Sequence, residues 1–135
     1  MSETLTIHIY SFSYVRGGIP PDPTGHGGGF VFDCRALPNP GREEAYKNLT
    51  GMNEAVSRTL EEKAEVRTYW ERVLGLVLDA AEVFRGRGFE HLSVAFGCTG
   101  GQHRSVYFAE RLRRSLEEKG YACTVVHRDL PEGLG

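Results

Sequence analysis

Apolar and polar residues alternate at the start of the chain, with Leu5, Ile7 and Ile9 set against Thr4, Thr6 and His8. A period of two predicts a half-buried strand over Thr4–Phe12. Phe30–Arg35 (FVFDCR) reads as a second short strand, His91–Phe96 (HLSVAF) as a short buried one, and Tyr121–His127 (YACTVVH) as the last strand. Between the second and third, the pattern changes. Thr50 or Asn53 can cap a short helix ending near Leu60. From about Glu61, the residues Trp70, Val73, Leu74, Val77, Leu78, Ala81 and Phe84 recur at spacings of three and four, which marks one face of a long helix. Gly86 and Gly88 are placed to end it. Gly75 lies inside it at a cost of about 1 kcal/mol relative to Ala, which suggests a close packing contact there. A further helix is expected from about Gln102 to Lys119, stopped by Gly120.

Strands alternating with helices imply right-handed crossovers and a mostly parallel sheet. The expected fold is a single small α/β domain with helices packed on that sheet. No internal repeat and no second domain are visible in the 135 residues. Two stretches stay irregular. Ser13–Gly29 is dense in Gly and Pro, and a loop of that length in a compact domain is commonly functional. Ala36–Leu49 carries Pro38, Pro40 and Gly41. The end, Asp129–Gly135, reads as frayed.

In such sheets ligands sit at the carboxyl ends of strands, and the segment Gly97–Ser105 (GCTGGQHRS) falls at such an end, between a strand and a helix. Gly100 and Gly101 allow a tight turn whose N–H groups converge. The following helix directs its own free N–H groups and positive dipole end to the same place. Phosphate suits that arrangement. Arg104 offers a planar fork for two phosphate oxygens, Thr99 and Ser105 offer hydroxyls, and His103 adds charge when protonated. The expected phosphate-binding set is therefore Cys98, Thr99, Gly100, Gly101, Gln102, His103, Arg104 and Ser105. The same residues fit a second pattern, C-x-x-G-x-x-R-[ST], the phosphate loop of cysteine-dependent phosphatases. On that reading the Cys98 thiolate attacks phosphorus, and Asp22 or Asp33 is the available acid. On the first reading no residue is catalytic. Neither calls for a cofactor.

Longer blocks carry a family resemblance. Gly97–Val106 (GCTGGQHRSV) closely resembles the GCTGGxHRSV signature of the C-terminal domain of RapZ-type proteins. Ser11–Tyr14 with Gly18-Ile19-Pro20, then Phe32–Pro40 (FDCRALPNP), Leu49–Met52 (LTGM) and His127-Arg128 resemble further family blocks in the same order. The likeness runs from about Thr4 to Arg128. It implies a sugar-phosphate-binding fold, a phosphorylated small-molecule ligand (a phosphosugar or a nucleotide), and a sensor or regulatory role. Asp33, Arg35, Asn39 and Ser11 become ligand-contact candidates, with Asp33 placed to receive a sugar amine or hydroxyl. Some members sense glucosamine-6-phosphate and bind small RNAs. Full-length members add an N-terminal P-loop domain, but no G-x-x-x-x-G-K-[ST] occurs here, so a P-loop protein would have to act in trans. A homodimer is suggested by the family alone. Two departures matter. Gly41 follows LPNP where the family often has His or an aromatic, and Asp129–Glu132 is acidic where RNA-binding members have a basic tail, which weakens an RNA-adaptor role.

Charge and composition narrow the remaining classes. With 16 Lys and Arg against 18 Asp and Glu, net charge is −2, so the chain is no polycation. Arg104, Arg111 and Arg114 fall near one face of the last helix. They read as an RNA patch or, with Glu110, Glu117 and Glu118 among them, as an ion-paired surface. The five histidines show no metal-ligand spacing. His26 is either a ligand-closing loop residue or a surface one, and His8 and His127 suit hydrogen-bonded structural roles. Tyr69 and Trp70 suit core or dimer contacts. Three scattered cysteines, no signal-peptide pattern and no membrane-length apolar run point to the cytoplasm.

Overall fold

A computed structural model describes residues 4–130. Strands β1 (Thr6–Ser13), β2 (Phe30–Asp33), β3 (His91–Cys98) and β4 (Ala122–His127) form one wholly parallel sheet in the order β2-β3-β1-β4. Helices α1 (Glu54–Glu61) and α2 (Ala64–Gly86) join β2 to β3, and α3 (Arg104–Glu118) joins β3 to β4.

The strand order dictates where everything else lies. β2 to β3 and β3 to β4 step across the sheet in one direction, so right-handed crossovers put their helices on one face. β1 to β2 steps the other way, which sends the Gly/Pro-rich segment across the opposite face. The pleat follows suit. Ile7, Ile9, Leu92, Val94 and Phe96 point to the helices and are fully or almost fully buried. His8, Tyr10, Ser93 and Ala95 point to the face covered by the loop alone. Val56, Leu60, Val66, Trp70, Val73, Val77, Ala81, Phe108, Leu112 and Leu116 supply the helix side of the core, as their three–four spacing requires.

Several expectations need correction. Both expected helices form, but the long one starts later than its spacing suggested: α1 ends at Glu61 and α2 begins at Ala64, after a break at Lys63. Asn53 precedes α1 but does not cap it. Its Oδ1 accepts from the Thr50 N–H at 2.7 Å instead. Gly75 marks no close contact, since a Cβ there would meet nothing within 4 Å. Gly86 is the last helical residue, and Gly88, at φ +76°, makes the turn. Asp129 is not frayed, because its Oδ2 accepts from the Ser13 N–H at 2.7 Å and it is ion-paired to Arg128. Residues 131–135, the rest of the acidic tail, lie outside the described residues. No helix among the described residues is long and apolar enough to cross a membrane.

Candidate functional site

The chain leaves neighbouring strands β1 and β3 toward opposite faces, so their carboxyl ends diverge and leave a crevice, where open α/β sheets take ligands. The Tyr14 N–H donates to Cys98 O at 3.0 Å, and the Ser13 hydroxyl donates to Thr99 O. Gly101, at φ +67°, lies so close to Ser13 that a Cβ would come within 3.0 Å of its backbone N. Among the described residues, no protein acceptor faces the N–H groups of Thr99, Gly100, Gly101, Gln102, His103 or Arg104. This row of free donors ends at the first turn of a 15-residue helix, where the dipole adds positive potential.

Beside it lies a polar cavity of about 530 Å³, formed by the segment after β2, the start of α2 and the start of α3. Three arginines, Arg35, Arg42 and Arg104, line it together with Asn39, Thr99 and Glu65. Of the ligand-contact candidates, Asp33 and Arg35 form a fork-on-fork ion pair, with contacts from 2.7 to 3.1 Å, and Arg35 stacks on the Tyr14 ring at 3.7 Å. Hydrogen bonding from Arg35 holds the Asp33 carboxyl below its ordinary range. Asn39 Oδ1 accepts from the Gly41 N–H at 2.9 Å, and Asn39 also faces the cavity.

Arg104 is not the exposed fork its position in the loop suggested. Only 4% of it is accessible. Its Nη1 donates to the carbonyls of Arg35 and Leu37 at 2.9 Å each and to Cys34 at 3.4 Å, which ties the segment after β2 onto α3. Its Nε is buried with no acceptor. A buried charged donor without a partner costs free energy, and Arg104 is one of the residues lining the cavity.

Gln102 and His103 precede α3 and turn away from the donor row. Gln102 Nε2 donates to Lys47 O and Leu49 O at 2.7 and 2.8 Å. His103 Nε2 lies 2.8 Å from Tyr46 O, and a carbonyl only accepts, so the proton sits on Nε2. The two side chains bracket the irregular segment 46–49. Gly41 leaves room for this, because a Cβ there would come within 3.1 Å of the His103 ring.

Cys98 departs furthest from expectation. Its strand continues two residues beyond Phe96, so it keeps the parity of Val94 and Phe96 and its sulfur enters the core. The residue is 2% exposed, and its thiol donates to the fully buried Ser105 Oγ at 3.2 Å. The Ser105 N–H in turn lies 3.5 Å from the Cys98 sulfur, so the thiol is engaged inside the protein and, at this burial, closed to a substrate phosphate, which counts against the thiolate-nucleophile reading. Ser11 is also fully buried on the helix side. Its Oγ lies 2.7 Å from His127 Nδ1, and His127 Nε2 donates to Glu110 Oε2 at 2.7 Å.

Arg111 and Arg113 of α3 are occupied as well. Arg111 lies over the Trp70 ring at 4.6 Å and donates to the Tyr107 hydroxyl, while Arg113 pairs with Glu110 and Glu117. Sequence reading missed Arg42 and Glu65. Neither sits in a motif, and they reach the cavity only through the packing of the segment after β2 against α2.

Fold and site together define a small parallel α/β domain whose third strand runs through a glycine turn into a helix lined with free backbone donors. A model of the RapZ C-terminal domain matches residues 5–131, and the chain belongs to that family. It is 41% identical over 127 residues to a protein named nucleotide-binding protein from Ruegeria sp. (strain TM1040), covering 94% of this chain and 40% of that one. Proteins given the same name from Solibacter usitatus (strain Ellin6076) and Alkalilimnicola ehrlichii (strain ATCC BAA-1101 / DSM 17681 / MLHE-1) are 38% and 40% identical over 126 residues each. Both matches cover 93% of this chain, and 38% and 42% of those proteins. The chain thus spans about two fifths of the length of the curated relatives it matches.

Proposed function

We propose that this domain binds a small phosphate-bearing molecule in the cavity at the start of α3 and acts as a ligand-sensing regulatory module. The observation that carries the reading is the row of backbone N–H groups without acceptors at the start of α3, next to a cavity lined in part by Arg104, whose buried Nε is unpartnered. Together they would receive a phosphate, with Arg42 supplying accessible charge. The name shared by the relatives agrees with a phosphorylated ligand.

The cavity favours a phosphosugar over a nucleotide. Among the described residues no aromatic ring lines it for a base to stack on, whereas Asn39, Thr99 and Glu65 offer polar groups suited to hydroxyls. Its volume of about 530 Å³ is ample for a hexose phosphate.

A thermal-shift screen with glucosamine-6-phosphate, other hexose phosphates, ATP, inorganic phosphate and sulfate tests this. A ligand at 100 times its dissociation constant adds roughly 2.7 kcal/mol of stability. The expected result is a selective shift with a phosphosugar that Arg42→Ala abolishes without altering the unliganded melting temperature. A uniform weak shift with every anion would reduce the site to a generic phosphate cradle, and no shift at all would refute the reading.

A further inference from the structure

The Gly/Pro-rich segment after β1 crosses the helix-free face of the sheet and encloses a second cavity of about 340 Å³, on the opposite side from Cys98 and the core. Its floor is made by Tyr10, Ser93 and Ala95, its edge by Phe30 and Val31, and its roof by residues 19–22 and 27–29. The walls are mostly apolar, and no Lys, Arg or His is among the lining residues.

Two polar atoms in it are unspent. Ser93 is 8% exposed and lines the cavity, and among the described residues neither its Oγ nor the Tyr10 hydroxyl has a hydrogen-bond partner. Neither oxygen is sealed in the core, since among the described residues only Arg104 Nε is both buried and unpartnered, so both hydroxyls are open to a partner. The one charged group, Asp22, is already committed. Its two oxygens accept from the Thr24 N–H, the Thr24 hydroxyl, and the His26 and Gly28 N–H groups at 2.7 to 3.1 Å. These bonds shape the roof, with Gly25, Gly27 and Gly28 at positive φ. The roof is then held to the sheet by rings. His26 sits edge-on to His91 with centroids 4.9 Å apart, and His91 Nδ1 lies 2.9 Å from His8 Nε2.

We infer that this cavity is a second ligand site, for a small, uncharged, largely apolar molecule that carries a hydrogen-bonding group. The apolar walls and the volume, at the small end of ligand pockets, set the size and polarity. The Ser93 and Tyr10 hydroxyls, each able to donate or accept, are its polar partners. Ionised Asp22 excludes an anion by its charge, and its saturated oxygens leave no place for an ammonium to pair. The site is separate from the phosphate cavity and takes the opposite class of ligand.

Two-dimensional ¹H–¹⁵N NMR of the whole chain, titrated with indole and separately with benzoate, tests the inference. Indole is expected to give saturable shifts centred on Tyr10, Gly27–Gly29, Val31 and Ser93, with a dissociation constant of about 1 mM or below. Benzoate at the same concentrations should move none of these signals, and Arg42→Ala should bind indole as the parent does. Ala95→Phe, which fills the cavity, should weaken indole binding at least tenfold, and Tyr10→Phe several-fold. Shifts that do not saturate, or that lie elsewhere, overturn the proposal, as does equal binding of benzoate. If Ala95→Phe fails to keep the dispersed spectrum of a folded chain, Tyr10→Phe decides, and unchanged affinity in it overturns the hydrogen-bonded site.

Discussion

Replacing Arg104 by alanine should damage the fold as well as ligand binding, and the size of the damage follows from its contacts. Two bonds at 2.9 Å run from its guanidinium to the carbonyls of Arg35 and Leu37, the first partly and the second fully shielded from solvent. Hydrogen bonds from a charged donor are worth about 1.5–3 kcal/mol each, so removing both costs roughly 3–6 kcal/mol before compensation. Part returns, because the mutation also removes a desolvated cation and its unpartnered Nε. A net loss of about 2–4 kcal/mol is expected, or a fall of roughly 8–16 °C in melting temperature at about 4 °C per kcal/mol for a chain of this size. Urea unfolding followed by fluorescence measures it directly, since Trp70 is the single tryptophan and is buried beneath α3. Arg42→Ala, at an accessible cavity residue, should stay within about 0.5 kcal/mol of the parent. An Arg104→Ala chain within about 1 kcal/mol of the parent would refute the role of this side chain as the clamp between α3 and the segment after β2.

Other substitutions and conditions test other parts. The bond from His127 to Glu110, reinforced by Arg113, lowers the Glu110 carboxyl to about 2. Its stabilisation is therefore complete above the ordinary value of 4.5 and lost as the pH falls from there toward 2. Allowing for solvent screening, Glu110→Gln should remove about 1–2 kcal/mol at pH 7 and flatten the acid limb of the stability curve, measurable by urea unfolding across pH 2–7. At Gly51 a Cβ would lie 2.3 Å from both His103 O and Tyr107 N, so Gly51→Ala must push the segment after residue 46 off the start of α3. A loss of about 1–3 kcal/mol and weaker phosphosugar binding should follow in the same melts. Cys98 should react with iodoacetamide only as fast as the chain opens, and phosphate or vanadate should not block it competitively. Rapid labelling near neutral pH would restore the nucleophile reading.

The local patterns in the sequence determined the element types. Alternation made Leu5, Ile7 and Ile9 a strand face, the three–four spacing of Trp70, Val73 and Val77 made a helix stripe, and paired glycines before His103 marked the turn into α3. Such patterns are local because they reflect backbone periodicity, and one buried face suffices to impose them. Even the inward turn of Cys98 was within reach, since extending β3 by two residues settles its parity.

What the tertiary structure decided was the direction and company of the site residues. Arg104 looks like a phosphate fork in a loop sequence. It became a clamp because the carbonyls of Arg35 and Leu37, nearly seventy residues earlier, lie over its Nη1. Arg42 and Glu65 joined the cavity, and Ser11 left it, through contacts that no spacing encodes. The helix-free face and the cavity above it follow from the strand order β2-β3-β1-β4, which sends one crossover to the far side of the sheet. Strand order rests on pairing between segments distant along the chain, and a short-range pattern carries no record of which strand lies beside which.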